Sequence, residues 1–413
     1  MKITPVKGTN DYLPRETALR DALQSEILAV YRAAGYERIT TPILEDVENL
    51  DKSEGGENLN LIFKVLKRGE KLEAALQSGN EKELCDIGLR YDLTLPLCRY
   101  YANNRANLPT PFKCIQTDRV YRAERPQKGR LREFVQCDID ILGDESGECE
   151  IELIATTAKA LRQVGFEGFT VKVNDRRILA AVLEKCGFEK EKFDSVCISL
   201  DKLDKIGRDG VSGELADKGC PCGACEKLLG LFEGNVTLAK IAELVPDCEA
   251  VARLSEILDA SEKIAGGKYD VVFDLCLIRG QGYYTGTVFE VAAEGYSGAV
   301  AGGGRYDKLV GKFIGEDVPA VGFSIGFERI YGILQEKGAK MPGARKRVAM
   351  IYKEGFAEAY ETAEKLRASY DCTLFRMPKK LGKLLNRLEN DGYDGFVYAE
   401  APDDLRLFGQ KEN

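Results

Sequence analysis

There is no histidine in the 413 residues of this chain, although it carries 59 Lys and Arg and 67 Asp and Glu. Every mechanism that runs on an imidazole is thereby excluded: Ser-His-Asp and Cys-His nucleophile systems, histidine general bases and histidine-ligated metals. Acid–base work would fall to Asp, Glu, Lys, Tyr or Cys. Tryptophan is missing too, and nothing follows from that. No apolar run approaches the roughly 18–20 residues needed to span a bilayer. MKITPVKGTNDYLP, residues 1–14, lacks the apolar core of a secretion signal, so a cytoplasmic protein is expected. Positive charge is not in excess. The net charge is -8, so no global field draws the chain to nucleic acid or membrane, and a polyanion would need a local basic patch. The 13 cysteines, in a long chain of this kind, read as reduced thiols used as small buried hydrophobes.

The length suggests two or three domains. Residues 15–34 place Leu19, Leu23, Ile27 and Tyr31 at helical spacing, with Gly35 as a stop. ERITTPILE is a short β-rich stretch interrupted by Pro42. Residues 148–163 predict a helix. Around it lie strand-like runs: LIFKVL (61–66), PFKCIQTDRVYRA (111–123), FVQCDIDILG (134–143), TVKV (170–173), TVFEVAA (287–293) and AVGFSIG (320–326). In QCDIDIL the alternation is strict. Cys137, Ile139 and Ile141 face one side, and Gln136, Asp138 and Asp140 the other, where they need water or a ligand. Residues 176–266 are charged and helical and predict an inserted module. KGAKMPGARKR (337–347) predicts a linker. Beyond it, β-α-β-α-β spacing over 346–413 predicts a small, shortened α/β domain that ends at DDLRLFGQKEN. One face of its sheet would need a cover from elsewhere.

Five stretches carry possible chemistry. RVYRAERPQKGRLREF (119–134) concentrates six basic side chains in sixteen positions and reads as a hairpin with QKGR at its tip. Arg122, Glu124 and Phe134 there would suit the phosphate, amino group and flat ring of a nucleotide. A solvated charged hairpin is the simpler alternative. RGQGYYTGTVFE (279–290) is either a glycine-rich turn with packed tyrosines or a place where backbone approaches a ligand. AGGGRYDKLVGKF (301–313) has a glycine triplet but neither P-loop spacing nor GxGxxG. AVGFSIGFERI (320–330) runs from a strand into a helix that opens with Glu328 and Arg329. CPCGAC places Cys220, Cys222 and Cys225 close together without a fourth ligand, so a cysteine-rich surface loop is expected rather than a metal site; Cys186 or Cys248 would have to complete one.

The order of these stretches, with KGTNDYLP (7–14), GYERITTPILE (35–45) and LRYDLTLPLCRY (89–100), closely resembles the histidyl-tRNA synthetases, a class II aminoacyl-tRNA synthetase family. The resemblance is strong over about residues 1–335 and loose over 346–413. It implies an α/β (α+β) fold with a class II antiparallel sheet flanked by helices. The catalytic core would be 1–175 and 267–336, with a helical insertion at 176–266 and a shortened anticodon-binding-like domain at 346–413. It implies ATP and Mg²⁺, histidine and tRNA as partners, and a homodimer formed through the region around Pro42. Residue by residue, it places Arg122 on the α-phosphate, Glu124 and Phe134 on adenine, and Arg329 on the γ-phosphate side. Asp92 and Thr94 would hold the ammonium of histidine, with Gln136 and Asp140 lining the same pocket. Arg279 would meet the carboxylate and α-phosphate, and Tyr283 and Tyr284 would close over the imidazole. The family's paralogue is the alternative: a histidine-sensing regulatory subunit of ATP phosphoribosyltransferase, without ligase activity and with that enzyme's catalytic subunit as partner. Arg345, Lys346, Arg347, Lys379 and Lys380 are available for RNA contact.

Overall fold

The computed structural model describes residues 3–52, 60–127, 129–278, 282–296, 298–339 and 345–409. The chain divides into two compact units, Met1–Lys340 and Met341–Asn413.

The strands of the first unit are β1 (Glu37–Arg38), β2 (Leu44–Asp46), β3 (Lys64–Leu66), β4 (Cys85–Leu89), β5 (Phe112–Tyr121), β6 (Glu133–Leu142), β7 (Phe169–Asp175), β8 (Asp270–Phe273), β9 (Thr287–Ala293), β10 (Ala299–Arg305) and β11 (Ala320–Gly326). Eight of them form one sheet in the order β1-β5-β6-β11-β10-β9-β7-β8. Pairing is antiparallel throughout its centre and parallel only at the two edges, β1 with β5 and β7 with β8. A separate antiparallel sheet has the order β2-β4-β3.

The alternation in β6 decides the layering. Cys137, Ile139 and Ile141 are fully buried and pack with Leu23, Ile27 and Tyr31 of the helix Pro14–Ala33, and with Leu153, Ile154 and Leu161 of the helix Glu148–Gln163. The first of these helices opens on Pro14, and the Glu16 carboxylate accepts from the Leu13 amide at 2.7 Å.

Six α-helices lie between Arg176 and Ala265. Asp175 caps the first through the Arg177 amide at 2.9 Å, and Gly187 ends it at φ 100°. Their apolar stripes, including Ile178, Leu183, Leu254 and Ile257, join the same buried cluster as the sheet, so the insertion does not rest on a core of its own. CPCGAC is not the surface loop expected. Cys222 opens the helix Cys222–Gly230, and Cys225, Leu228 and Leu229 recur at helical spacing on its buried stripe. Cys220 is buried as well, while Cys222 is exposed with its thiol on Glu226.

One further expectation changes. The strand foreseen in LIFKVL is limited to Lys64–Leu66. The glycine triplet Gly302, Gly303 and Gly304 lies inside β10, and at Gly303 and Gly304 neighbouring backbone leaves no room for a side chain.

In the second unit, β12 (Arg347–Tyr352), β13 (Asp371–Arg376) and β14 (Gly395–Tyr398) are parallel, in the order β13-β12-β14. Beyond the expected β-α-β-α-β pattern, residues 401–407 form a further strand, β15 (Ala401–Leu407), antiparallel to β14. Exposed residues alternate along it, as suits an edge strand. No outside cover is required. The helix Phe356–Arg367 packs on Val348, Met350 and Val397, and the helix Leu381–Asn390 on Ala349, Ile351 and Phe396, so both faces are covered from within.

A Cβ at Gly303 would lie 2.0 Å from the Gly322 carbonyl oxygen and 2.8 Å from the Phe323 Cα, both backbone atoms. Gly332, in the helix Phe327–Glu336, has nothing within 4 Å. Gly303→Ala is expected to destabilise by on the order of 1–3 kcal/mol. Gly332→Ala is expected to stabilise by about 0.5–1 kcal/mol. Urea unfolding of both variants checks the pair.

Candidate active site

The polar face of β6 is the floor of a pocket. Gln136, Asp138 and Asp140 stand opposite Gly326, Ser324 and Gly322 of β11. Beyond them, Gly302 and Gly304 of β10 stand opposite Ser324 and Gly322. The glycines clear this floor for other groups. A Cβ at Gly322 would come within 1.8 Å of Asp140 Oδ1, and one at Gly304 within 2.8 Å of the Tyr284 ring. One wall is aromatic. The Tyr283 and Tyr284 rings meet edge to face at 4.9 Å, Tyr306 stands 6.2 Å from Tyr283, and the Tyr306 hydroxyl donates to Asp140 at 2.7 Å.

Asp92 and Thr94 enter from the turn between β4 and the helix Thr94–Asn104. The Asp92 carboxylate accepts from the Leu95 amide at 3.2 Å, and the buried Tyr283 lies close to both Asp92 and Thr94. The structure thus brings together Asp92, Thr94, Gln136, Asp140, Tyr283 and Tyr284. Arg279, Gly280 and Gln281 lie outside the described residues. The turn after β8 that leads toward them is fixed by Asn174, whose side-chain amide donates to the carbonyls of Leu275 and Leu277.

Three carboxyl groups are buried here: Asp92, Asp138 and Asp140 are each under 5% exposed. Loss of hydration is the largest cause of their raised pKa values. It lifts Asp92 to about 6 and Asp140 to about 7, and pushes Asp138 well above the usual carboxylate range with the Asp140 charge adding to it. Arg122 works in the other direction, because its charge favours the ionised forms of Asp92 and Asp138.

Arg122 follows β5 directly. Its Nε donates to the Tyr91 carbonyl at 3.0 Å, and its guanidinium lies 5.0 Å over the Phe134 ring of β6. This cation–π stack sets an arginine and a flat aromatic face beside the acidic floor. The connection between β5 and β6 is the expected hairpin, closed by the Arg122–Arg132 and Gln127–Arg130 backbone bonds; Lys128 at its tip lies outside the described residues. Glu124 is held there by Arg130 at 3.6 Å. Arg329 is not part of the floor. It donates to the Gly129 carbonyl at 3.2 Å and to that of Ala299, so it ties the hairpin tip to β10.

Two buried arginines hold the frame. Arg20 forks onto Glu328 (Nη2–Oε1 2.7 Å) and lies 3.9 Å over the Tyr12 ring, while Glu328 also accepts from the Val135 amide. Arg90 binds the Thr41 and Arg119 carbonyls and Asp118, which fixes the turn that carries Asp92. Sequence reasoning did not single out Tyr306, Ser324 or Arg90, and it named Asp138 on the polar face of β6 and Glu328 at a helix start without giving either a role in the site. The polar alternation of β6 signalled Asp138, and RYD after the triplet contained Tyr306. Nothing local marked the others.

The folded pKa values of Asp92 and Asp140 lie above the unfolded 3.8, so the folded chain keeps protons that the unfolded chain has released. Their contribution is fully present below about pH 4 and is lost as pH rises through about 6 and 7. The Asp92→Asn/Asp140→Asn variant should therefore gain stability relative to the parent as pH is raised from 4.5 to 7.5. Urea midpoints across that range would read it, and a constant difference would contradict it.

The family model described as Histidyl-tRNA synthetase matches residues 8–330. A curated histidine–tRNA ligase of Leifsonia xyli is 41% identical over 418 residues, covering 97% of this chain and 96% of that protein. A probable histidine–tRNA ligase of Tropheryma whipplei is 37% identical, covering 98% of each. The crystal structure of histidyl-tRNA synthetase from Nostoc superposes with a TM-score of 0.80 at 27% identity, over 96% of this chain and 91% of that one. An ATP phosphoribosyltransferase regulatory subunit/histidyl-tRNA synthetase from Bacillus halodurans shares the fold, with a TM-score of 0.78 at 22% identity. An antiparallel sheet that carries an arginine–aromatic stack beside a buried acidic floor, together with these matches along almost the whole chain, places the protein in the histidyl-tRNA synthetase family.

Proposed function

We propose that the protein is a histidine–tRNA ligase, which joins histidine to ATP as histidyl-adenylate and passes the acyl group to tRNA. One observation carries this most directly. A cation-accepting floor of Asp92, Asp138 and Asp140 lies next to an anion-binding arginine stacked on a flat ring, Arg122 on Phe134. An amino acid with a positive ammonium and a polar ring suits the floor, and a nucleotide phosphate suits the arginine. Asp92 and Thr94 would take the ammonium, Gln136 and Asp140 the imidazole, and Tyr283 and Tyr284 would close over it.

In the first step an oxygen of the histidine carboxylate attacks the α-phosphorus of ATP. A P–O bond forms to histidine, and the bond to the pyrophosphate oxygen breaks. The nucleophile is already ionised, so no general base is needed, and a chain without histidine is not impeded. Catalysis reduces to alignment and to neutralising charge at phosphorus, the roles of Arg122 and Arg279. Glu124 and Phe134 would hold adenine, and Arg329 the γ-phosphate end. Mg²⁺ would arrive as the counter-ion of the ATP phosphates, hence with the substrate. Among the described residues no group of three or more His, Cys, Asp and Glu side chains is placed to hold a metal ion.

A homodimer belongs to the same reading. The β2-β4-β3 sheet presents Leu44, Val65, Leu66 and Ile87 to solvent, an apolar face suited to a second copy. The residues 346–413 would contact the tRNA anticodon. Charging tRNA would place the work in the cytoplasm. The regulatory-subunit alternative is the weaker one, because a histidine sensor has no use for the Arg122–Phe134 stack and the Leifsonia and Tropheryma relatives, which cover 97% and 98% of this chain, are named as ligases.

Histidine-dependent ATP–pyrophosphate exchange, with tRNA charging beside it, tests the proposal. Arg279→Ala is expected to lower exchange by on the order of 10²–10³. Arg122→Ala is expected to raise the KM for ATP while histidine binding by calorimetry stays near that of the parent. Absence of exchange and charging in the parent would contradict the ligase reading.

A further inference from the structure

The turn that carries Asp92 and Thr94 is tied to β5 by a buried chain of side chains. Arg90 Nη1 donates to the Thr41 hydroxyl at 3.2 Å. That hydroxyl donates to Gln116 Oε1 at 3.1 Å, and Gln116 Nε2 donates to the Leu93 carbonyl at 2.8 Å. Arg90 is 0% exposed, Gln116 2% and Thr41 4%. Leu93 stands between Asp92 and Thr94 and is the N-cap of the helix Thr94–Asn104, with no capping side chain of its own. Its carbonyl also accepts the first helical bond, from the Leu97 amide at 3.1 Å, so Gln116 occupies its second lone pair.

The chain runs in one sense. A guanidinium donates and has no acceptor, and a hydroxyl has one hydrogen to give. Thr41 Oγ1 therefore accepts from Arg90, and its own hydrogen goes to Gln116 Oε1. The two ends of an amide have nearly the same shape, so packing alone does not choose between them; the hydrogen-bond network does. With Oε1 committed to Thr41, the NH₂ end faces the Leu93 carbonyl. Gln116 lies on β5 directly opposite Asp138 of β6, so its backbone belongs to the same sheet as the pocket floor. We propose that Gln116, acting through the Leu93 carbonyl, is a positioning residue that sets the start of the helix, and with it Asp92 and Thr94, for the α-ammonium of the ligand. This rests on the pocket being the histidine site of the proposed ligase. It adds that grip on the ammonium depends on a residue that does not touch it, whereas grip on the imidazole does not.

The assignment explains two features together. Buried amides and hydroxyls are costly unless bonded, and here Thr41 and both ends of the Gln116 amide are bonded to one another or to the turn. The ties along the turn are also divided. The Tyr121 amide holds the Arg90 carbonyl at 2.9 Å and Arg122 Nε holds that of Tyr91 at 3.0 Å, both at the far end of β5, while Gln116 holds Leu93.

The test varies histidine and ATP separately in pyrophosphate exchange on the full chain, with Gln116→Leu, Thr41→Val, Thr41→Ser and the Gln116→Leu/Thr41→Val pair. Deaminohistidine, which is histidine without its α-amino group, serves as competitor. Gln116→Leu should raise the histidine KM by on the order of tenfold, the size of one lost hydrogen bond, with the ATP KM and the inhibition constant of deaminohistidine within about threefold of the parent. Thr41→Val removes the hydroxyl at nearly constant shape and leaves Arg90 Nη1 on the Thr41 and Pro42 carbonyls. It should act in the same direction by a smaller factor, and Thr41→Ser, which keeps the hydroxyl, should recover most of the loss. The double variant should be no worse than Gln116→Leu alone. Additive effects, equal losses for histidine and deaminohistidine, or a Ser variant as poor as the Val variant would overturn the assignment. If Gln116→Leu does not fold, the Thr41 pair decides. If the parent shows no exchange, the ligase reading fails separately, and calorimetric affinities of the same variants for the two ligands then decide the positioning role: unchanged affinities, or equal losses for both, overturn it.

Discussion

Burial of three carboxyl groups at one pocket, two on β6 and one in the turn after β4, is the constraint from which the rest of the site follows. Asp92, Asp138 and Asp140 have lost most of their hydration, and isolated charges so placed would be very costly. The protein meets that cost in parts. Protons are retained, as the raised pKa values of Asp92 and Asp140 show. The Tyr306 hydroxyl donates to Asp140, and the Leu95 amide to Asp92. Arg122 contributes a nearby positive charge. What remains is an electrostatic demand that a cationic, N–H-rich ligand can satisfy.

The backbone is shaped to that demand. Gly322 admits the Asp140 carboxyl, and Gly304 lies under the Tyr284 ring. Glu328 takes its place through Arg20 and the Val135 amide, and so fixes the start of the helix that carries Arg329. Arg90 spans the two sheets with bonds to Thr41 and Arg119. These arginine anchors are buried, multiply bonded and paired, the conditions under which a buried ion pair holds a fixed geometry rather than weakening the fold. The site is in this way placed on strands and helix starts, while the Arg279 segment and Lys128 fall outside what the structure describes.

Much of this was legible in the sequence because it is periodic. The alternation in QCDIDIL announced both the core face and the polar floor, and the helix 148–163 followed from its apolar stripe. Motif order identified the family and gathered Asp92, Thr94, Gln136, Asp140 and the tyrosine pair. Features that depend on distant backbone were not legible. The glycine triplet looks like a loop until β9 and β11 are laid beside it. CPCGAC looks exposed until Cys225 is placed on a buried helix stripe. Residues 401–407 look like an irregular end because an edge strand has no apolar run to declare it. Ser324 carries no pattern at all; its part is visible only once β11 is in register with β6.

The central claim is that the buried carboxyls release their protons to solvent when a cationic ligand binds. The most direct measurement is calorimetry of histidine binding at pH 5.5 in buffers of different ionisation enthalpy. At that pH the unliganded Asp92 and Asp140, with pKa values of about 6 and about 7, are largely protonated. Engagement of the ligand's positive groups should drive both toward their ionised forms, with net release of roughly one to two protons per site. Heats that do not depend on the buffer, or that report proton uptake, would contradict the account.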